Sequence, residues 1–227
     1  MKITITGSLG NISRTLIEKT VAGGHQVKVI SSDPGKAKAI EQLGAKPLIG
    51  SLEDPEFLSM SFRDLSAVYT MVPPNFSAPD YFAFSEVIHS NYAHAIQENE
   101  IKYVVNLSSI GVALAGREPI EGYFNLEQIL DSIPGLNIVH LRPGMFYSNF
   151  YGSVDLIKYR EIIGHNLAST VKMPMTHPGD IAREAFRYLN QLSFQDSKIH
   201  YVISDVKTGA EIAEIIGQKS NKSIHWV

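Results

Sequence analysis

Short β-branched runs alternate along the chain with longer segments whose apolar residues recur every three to four positions. The first run, Ile3 to Thr6, meets a glycine turn; from Leu9 to Ala22, Ile12, Leu16, Ile17 and Val21 then fall on one helical face. Gly23-Gly24 ends that helix, and Gln26 to Ser31 is a second strand. An Asp33-Pro34-Gly35 turn leads into a helix from Lys36 to Leu43, followed by a third strand at Lys46 to Ile49. Asp54-Pro55 has the N-cap and first-turn proline of another helix start. Ala67 to Val72 is a fourth strand, Asp80 to Asn99 a long helix, Tyr103 to Leu107 a fifth strand, Glu118 to Ile133 a helix and Leu136 to Leu141 a sixth strand. Apolar strands alternating with helices predict an α/β fold with a parallel sheet covered on both faces.

The pattern loosens after Arg142-Pro143-Gly144, and residues 145–176 show no clean period. Pro178-Gly179-Asp180 opens a helix to about Leu192, Ile199 to Ile203 reads as a strand, Thr208 to Gly217 as a helix, and Ser223 to Val227 as a last short strand. Residues 1–144 are therefore expected to form the core. Residues 145–227 are expected to form a small C-terminal α/β lobe packed on it as one structural unit, with 199–203 in a position to extend the sheet.

Composition narrows the function classes. The chain has no cysteine, which excludes disulfides, thiolate catalysis and cysteine-ligated zinc. A net charge of −3 gives no electrostatic reason to expect nucleic acid or anionic membrane. No apolar run approaches the roughly 20 residues that span a bilayer, and no signal-peptide pattern follows Lys2. These features make a soluble cytoplasmic protein the default expectation, with a small-molecule substrate and a homo-oligomer both left open.

The strongest chemical signal is Gly7-x-x-Gly10-x-x-Ser13, placed between a strand and a helix. Gly7 suits the turn, Gly10 lets the backbone approach a diphosphate, and Ser13 is the small residue needed for close helix–strand contact. The free N–H groups and dipole of the following helix favour an anion there. At the end of the second strand stand Ser31, Ser32, Asp33 and Lys36. Serines can bond a ribose or a phosphate, and Lys36 can reach a phosphate as a point charge. Asp33 before Pro34 reads as a turn residue. This set favours NADP, with NAD as the alternative.

Ser108-Ser109 follow the fifth strand, where ligands of open α/β sheets bind, although Ser-Ser-x-Gly also suits a plain turn. The histidines carry little chemistry. His89 and His94 lie five apart on one helix, which is not ligand spacing on one face. His140 lies inside an apolar strand and reads as a satisfied core residue, and His177 as a loop residue beside a helix start. No metal site is expected.

Taken in order, Ile5-Thr6-Gly7-Ser8-Leu9-Gly10, Asp33-Pro34-Gly35-Lys36-Ala37, Gly50-Ser51-Leu52-Glu53-Asp54-Pro55, Leu107-Ser108-Ser109 and Leu141-Arg142-Pro143-Gly144-Met145-Phe146-Tyr147-Ser148-Asn149 make a series. Gly179-Asp180-Ile181-Ala182 and Lys207-Thr208-Gly209-Ala210-Glu211-Ile212-Ala213 extend it. The chain resembles the NmrA-like branch of the extended short-chain dehydrogenase/reductase superfamily over nearly its whole length. The resemblance implies a Rossmann-type, doubly wound α/β core with a small C-terminal α/β substrate lobe, NAD(P) binding, and an activity like that of quinone and isoflavone-type reductases or a role like that of NADP-binding redox sensors. It implies that the segment with Met145, Phe146, Tyr147 and Asn149 lines a substrate site, near Phe150 and Tyr151.

There are departures. Ser32 stands where the family often has arginine, and Gly50-Ser51-Leu52 where it often has Gly-Asp-Leu. The superfamily's Tyr-x-x-x-Lys is replaced by Tyr123-Phe124-Asn125-Leu126-Glu127. A carboxylate disfavours a tyrosinate, so Tyr123 is expected to be a poor general acid or base.

The resulting expectation places a dinucleotide on Gly7, Ser8, Leu9, Gly10, Asn11 and Ile12. Its adenosine side lies by Ser31, Ser32, Lys36, Ser51 and Leu52. Its nicotinamide side lies by Met71, Val72, Pro73 and Ser108. The substrate would meet Ser109, Met145, Phe146, Tyr147 and Asn149. The chemistry would be hydride transfer from NADPH to a small electrophile such as a quinone, with Ser109 and Tyr123 as weak candidates for a catalytic role. The rival is a non-catalytic dinucleotide sensor that binds a protein partner.

Overall fold

The structure is a computed structural model describing residues 1–75, 77–114 and 121–227. Its elements in chain order are β1 (Lys2–Ile5), α1 (Ser13–Ala22), β2 (Gln26–Ser31), α2 (Ala37–Gln42), β3 (Lys46–Ile49), α3 (Pro55–Ser61), β4 (Ala67–Thr70), α4 (Tyr81–Glu98), β5 (Tyr103–Leu107) and α5 (Glu121–Asp131). They continue with β6 (Asn137–Pro143), β7 (Met145–Phe146), α6 (Val154–Arg160), β8 (Ile162–Ile163), β9 (Lys172–Thr176), α7 (Pro178–Gln191), β10 (Ser197–Val202), β11 (Asp205–Thr208), α8 (Gly209–Ser220) and β12 (His225–Trp226).

Seven strands form one sheet in the order β10-β6-β5-β4-β1-β2-β3, and every neighbouring pair is parallel. Order runs outward in both directions from β1 and β4, as in Rossmann folds, so the crevice between their carboxyl ends is the natural ligand position. One face is covered by α1, α2 and α7 through Leu16, Ile17, Ile40, Ile181 and Leu189. The other is covered by α3, α4 and α5 through Leu58, Ile88, Tyr92, Leu126 and Leu130. This double cover explains why the strands read as continuous apolar runs.

A polar row crosses the second face at matched register. Thr70 Oγ1 donates to Asn106 Oδ1 at 3.0 Å, and Asn106 Nδ2 donates to His140 Nδ1 at 3.1 Å. His140 Nε2 then donates to Asp131 Oδ1 at 2.9 Å. His140 is thus a satisfied core residue.

Several boundaries depart from the sequence expectation. Helix α1 starts at Ser13, not Leu9, because Gly7 and Ser8 hold left-handed backbone and the Gly10 N–H turns back to Gly7 O at 3.1 Å. The helix expected from Glu118 is described from Glu121; residues 118–120 lie outside the described residues. Residues 145–176 are more ordered than their pattern suggests, holding β7, α6, β8 and β9. Helix α6 buries none of its residues, so it carries no amphipathic stripe. The small sheet β11-β9-β7 and the pair β12-β8 pack with α8 over a separate core of Ile163, Met173, Met175, Ile212, Ala213 and Ile224. Strand β11 was missed because it is short and polar. The C-terminal third also contributes α7 and β10 to the large sheet's layers.

His89 on α4 is 1% exposed and its Nδ1 has no partner among the described residues. Burial lowers its pKa from 6.5 to about 4. The unfolded chain therefore binds a proton below about pH 6.5 that the folded chain refuses until about pH 4. Stability should fall across that window, by on the order of 2–3 kcal/mol for this group. Urea midpoints at pH 7 and pH 4.5 should converge in His89→Leu relative to the parent.

Candidate functional site: the cleft at the sheet's carboxyl edge

A cleft of about 1070 Å³ opens at the switch point between β1 and β4. Its floor is the loop after β1. Thr6 ties that loop to β4: its N–H and its hydroxyl both donate to Tyr69 O, at 3.1 and 3.2 Å, and its hydroxyl accepts the Met71 N–H at 3.0 Å. Gly7 has φ +88°, a conformation that glycine takes at no steric cost. A Cβ on it would lie 2.6 Å from Ser13 Oγ, which donates to Thr6 O at 2.9 Å. Ser13 is the small residue that brings α1 close to β1. Ser8, at φ +52°, is held by its N–H to Ile30 O at 3.1 Å and by its hydroxyl to Ser31 Oγ at 2.9 Å.

Beyond this turn the backbone faces the cleft. A Cβ on Gly10 would meet only Gly7 O, at 3.1 Å. Helix α1 has no side-chain cap and no acidic residue in its first turn. Among the described residues the Asn11 and Ile12 N–H groups donate to no protein acceptor. Uncapped donors on a positive helix end are the chemistry that holds a diphosphate. The loop therefore fits the dinucleotide that its sequence suggests.

The ends of β2 and β3 build one end of the cleft. Ser31 lies on the cleft wall, but its hydroxyl is engaged inside the protein with Ser8 Oγ and with the Asp33 carbonyl and N–H. Asp33 caps the next turn, accepting the Gly35 N–H at 2.8 Å, and does not line the cleft. Ser32, Lys36, Ser51 and Leu52 do. Lys36 and Glu53 are the two charged side chains among the described lining residues.

At the other end the wall consists of Met71, Val72 and Pro73 after β4, Ser108 and Ser109 after β5, Tyr123 from α5, and Met145, Phe146 and Asn149. The expected site residues thus meet in one cleft except Tyr147, and the neighbouring Phe150 and Tyr151 also lie off it, Phe150 against the small C-terminal core and Tyr151 exposed. Tyr147 packs against the small C-terminal core, its ring centroid 6.4 Å from that of His177, and does not line the cleft. Tyr147 opens the 3-10 turn that follows β7. His177 itself caps α7 by accepting the Gly179 N–H at 3.0 Å. Phe84 and Ile88 of α4 also line the cleft, Ile88 from within the buried core, and were not expected from the sequence. Their spacing of four places them on one helical face, a signal hidden in a helix apolar on several sides.

The expected like-charge effect of Glu127 on Tyr123 does not arise. Glu127 is 2% exposed and is bound by Arg142, Nε to Oε1 at 3.0 Å and Nη2 to Oε2 at 2.5 Å. Arg142 neutralises it. The Tyr123 phenol is still pushed up, by burial and then by Tyr81, so it remains a weak acid for a different reason.

Together the parallel sheet and this loop define a dinucleotide-binding protein of Rossmann type. A family model described as NAD(P)H-binding matches residues 7–158, and the chain belongs to that NAD(P)H-binding family. Similar solved structures include the Citrobacter sp. triphenylmethane reductase complexed with NADP(H), with a TM-score of 0.87 at 17% identity, covering 100% of this chain and 78% of that one. The NADPH-dependent quinone oxidoreductase of Escherichia coli complexed with NADPH gives 0.86 at 18%, covering 99% and 77%. A nucleoside-diphosphate-sugar epimerase from Staphylococcus aureus gives 0.84 at 12%, covering 100% and 80%. At these identities the likeness is one of fold. No curated protein matches the chain.

Removing Arg142 strands a buried carboxylate, which typically costs 3–5 kcal/mol. Arg142→Met should lose about that much in a denaturant titration. Adding Glu127→Leu to it should restore most of the loss, because both charges are then gone.

Proposed function

We propose that the protein is an oxidoreductase that passes hydride from NADPH to a small electrophile such as a quinone. One observation carries the proposal: a single cleft joins the uncapped start of α1 to an apolar, aromatic-lined chamber. When bound, the nicotinamide supplies the hydride, and the chain's own residues position the reactants. The Asn11 and Ile12 N–H groups would hold the diphosphate. Ser32 and Lys36 would take the 2′-phosphate, Ser51 and Leu52 would flank the adenine, and Met71, Val72, Pro73 and Ser108 would enclose the nicotinamide. Phe146, Met145, Asn149 and Ser109 would receive a flat substrate and keep water from it. The neighbours' names support this reading, one being a triphenylmethane reductase and another an NADPH-dependent quinone oxidoreductase.

A second reading, a dinucleotide sensor without turnover, is favoured by the environment of Tyr123. Burial raises its pKa, and Lys36 at the far end is the one lysine among the described lining residues. NADPH consumption with a panel of quinones and aldehydes separates the two. Turnover of any member supports the enzyme, and tight binding without turnover supports the sensor.

Calorimetry should show tighter binding of NADPH than NADH, and Lys36→Ala should narrow that gap by weakening NADPH more. Gly10→Val, folded by circular dichroism, should lose binding of both. Retained binding there would displace the diphosphate from this loop.

If a reductase activity is found, Tyr123→Phe should keep most of it. General acid–base catalysis typically contributes a hundredfold or more, so a loss of that size would give Tyr123 the proton-donor role denied to it here.

A further inference from the structure

The two serines after β5 differ in what they can offer the cleft. Ser108 is 3% exposed, and its N–H donates to Leu141 O at 2.8 Å. Its hydroxyl donates to Glu127 Oε1. That same carboxylate is gripped on both oxygens by Arg142, whose third nitrogen donates to Tyr201 Oη at 3.3 Å. A carboxylate held bidentate by a guanidinium is ionised and can only accept. The single proton of Ser108 is therefore committed to Glu127, and what its oxygen has left for the cleft is a lone pair. Ser109 is the reverse. Its Oγ accepts the Gly111 N–H at 3.2 Å, and among the described residues its own proton has no acceptor.

We infer that the serine pair has fixed, opposite polarity: Ser108 accepts an N–H from the ligand, Ser109 donates to a ligand oxygen, and Glu127 and Arg142 are the positioning residues that set Ser108. The ligand chemistry that matches Ser108 is a primary carboxamide, the group that a nicotinamide ring carries. The inference rests on the reading that places the nicotinamide at this end of the cleft. It also accounts for the Glu127 departure from Tyr-x-x-x-Lys. Tyr123 and Glu127 lie one turn apart on α5, so the helix face that turns Tyr123 to the cleft turns Glu127 to Ser108. A lysine at that position would reverse the polarity of the bond and meet Arg142 as a like charge.

The test compares NADP with its 3-acetylpyridine analogue, which keeps the ring carbonyl and loses the amide N–H donors. Dissociation constants come from calorimetry and need no turnover. The parent should bind NADP about five- to tenfold more tightly than the analogue, the worth of one net hydrogen bond. Ser108→Ala should bring that ratio close to one by weakening NADP alone. Glu127→Gln should also shrink it, because a neutral amide no longer fixes the serine proton. Ser108→Ala keeps the Glu127–Arg142 pair and decides the matter alone if Glu127→Gln does not fold. Equal binding of the two dinucleotides by the parent, or an unchanged ratio in Ser108→Ala, overturns the assigned polarity while leaving dinucleotide binding intact. Failure of the parent to bind either compound contradicts the reading of the cleft and the polarity with it.

Discussion

Everything at the cleft depends on seven strands running the same way. Parallel hydrogen-bonded ladders put every carboxyl end on one edge, and the outward winding from β1 and β4 leaves those two ends without a connection across them. The gap is a consequence of topology rather than of any one side chain. What the local sequence adds is stiffness around it. Thr6 binds the end of β1 to the end of β4, Ser8 binds the loop to the end of β2, and Ser13 draws α1 down onto Thr6. Three small hydroxyl side chains fix the turn, which leaves the backbone donors of Asn11 and Ile12 facing outward.

The same economy appears on the other wall. A buried carboxylate is costly unless it is paired and its remaining lone pairs are used. Glu127 meets that requirement with Arg142 from the end of β6 and Ser108 from the end of β5, so one ion pair ties α5 to two strand ends beside the cleft. The polar row from Thr70 to Asp131 does similar work lower in the sheet, joining β4, β5, β6 and α5 at matched register. Both networks anchor α5, the helix that carries Tyr123.

Much of this was legible in the sequence. Strands β2, β3 and β5 span the residues expected of them, and Asp54 and Asp80 cap α3 and α4 by accepting backbone N–H groups at 3.0 Å. The glycine loop was legible because its requirements are local: positive φ at Gly7, space at Gly10, a small residue at position 13. The rest depended on partners far along the chain. Nothing near Glu127 in the sequence announces that Arg142, fifteen residues on, neutralises it, so the like charge expected beside Tyr123 does not act. Tyr147 was placed with its neighbours by resemblance, whereas its packing against His177 depends on how β7 meets β9. The short strands after Met145 carry no periodic signal because each pairs with a distant segment: β8 with β12, β9 with β11.

The central claim is that one dinucleotide runs the length of this cleft, diphosphate at the start of α1 and nicotinamide at Ser108. A crystal structure of the protein soaked with NADP tests it most directly. Phosphate oxygens should lie within hydrogen-bond distance of the Asn11 and Ile12 N–H groups, and a nicotinamide ring between Pro73 and Ser108. A dinucleotide bound outside the cleft, or lying in it with its adenine at Ser108, would contradict it.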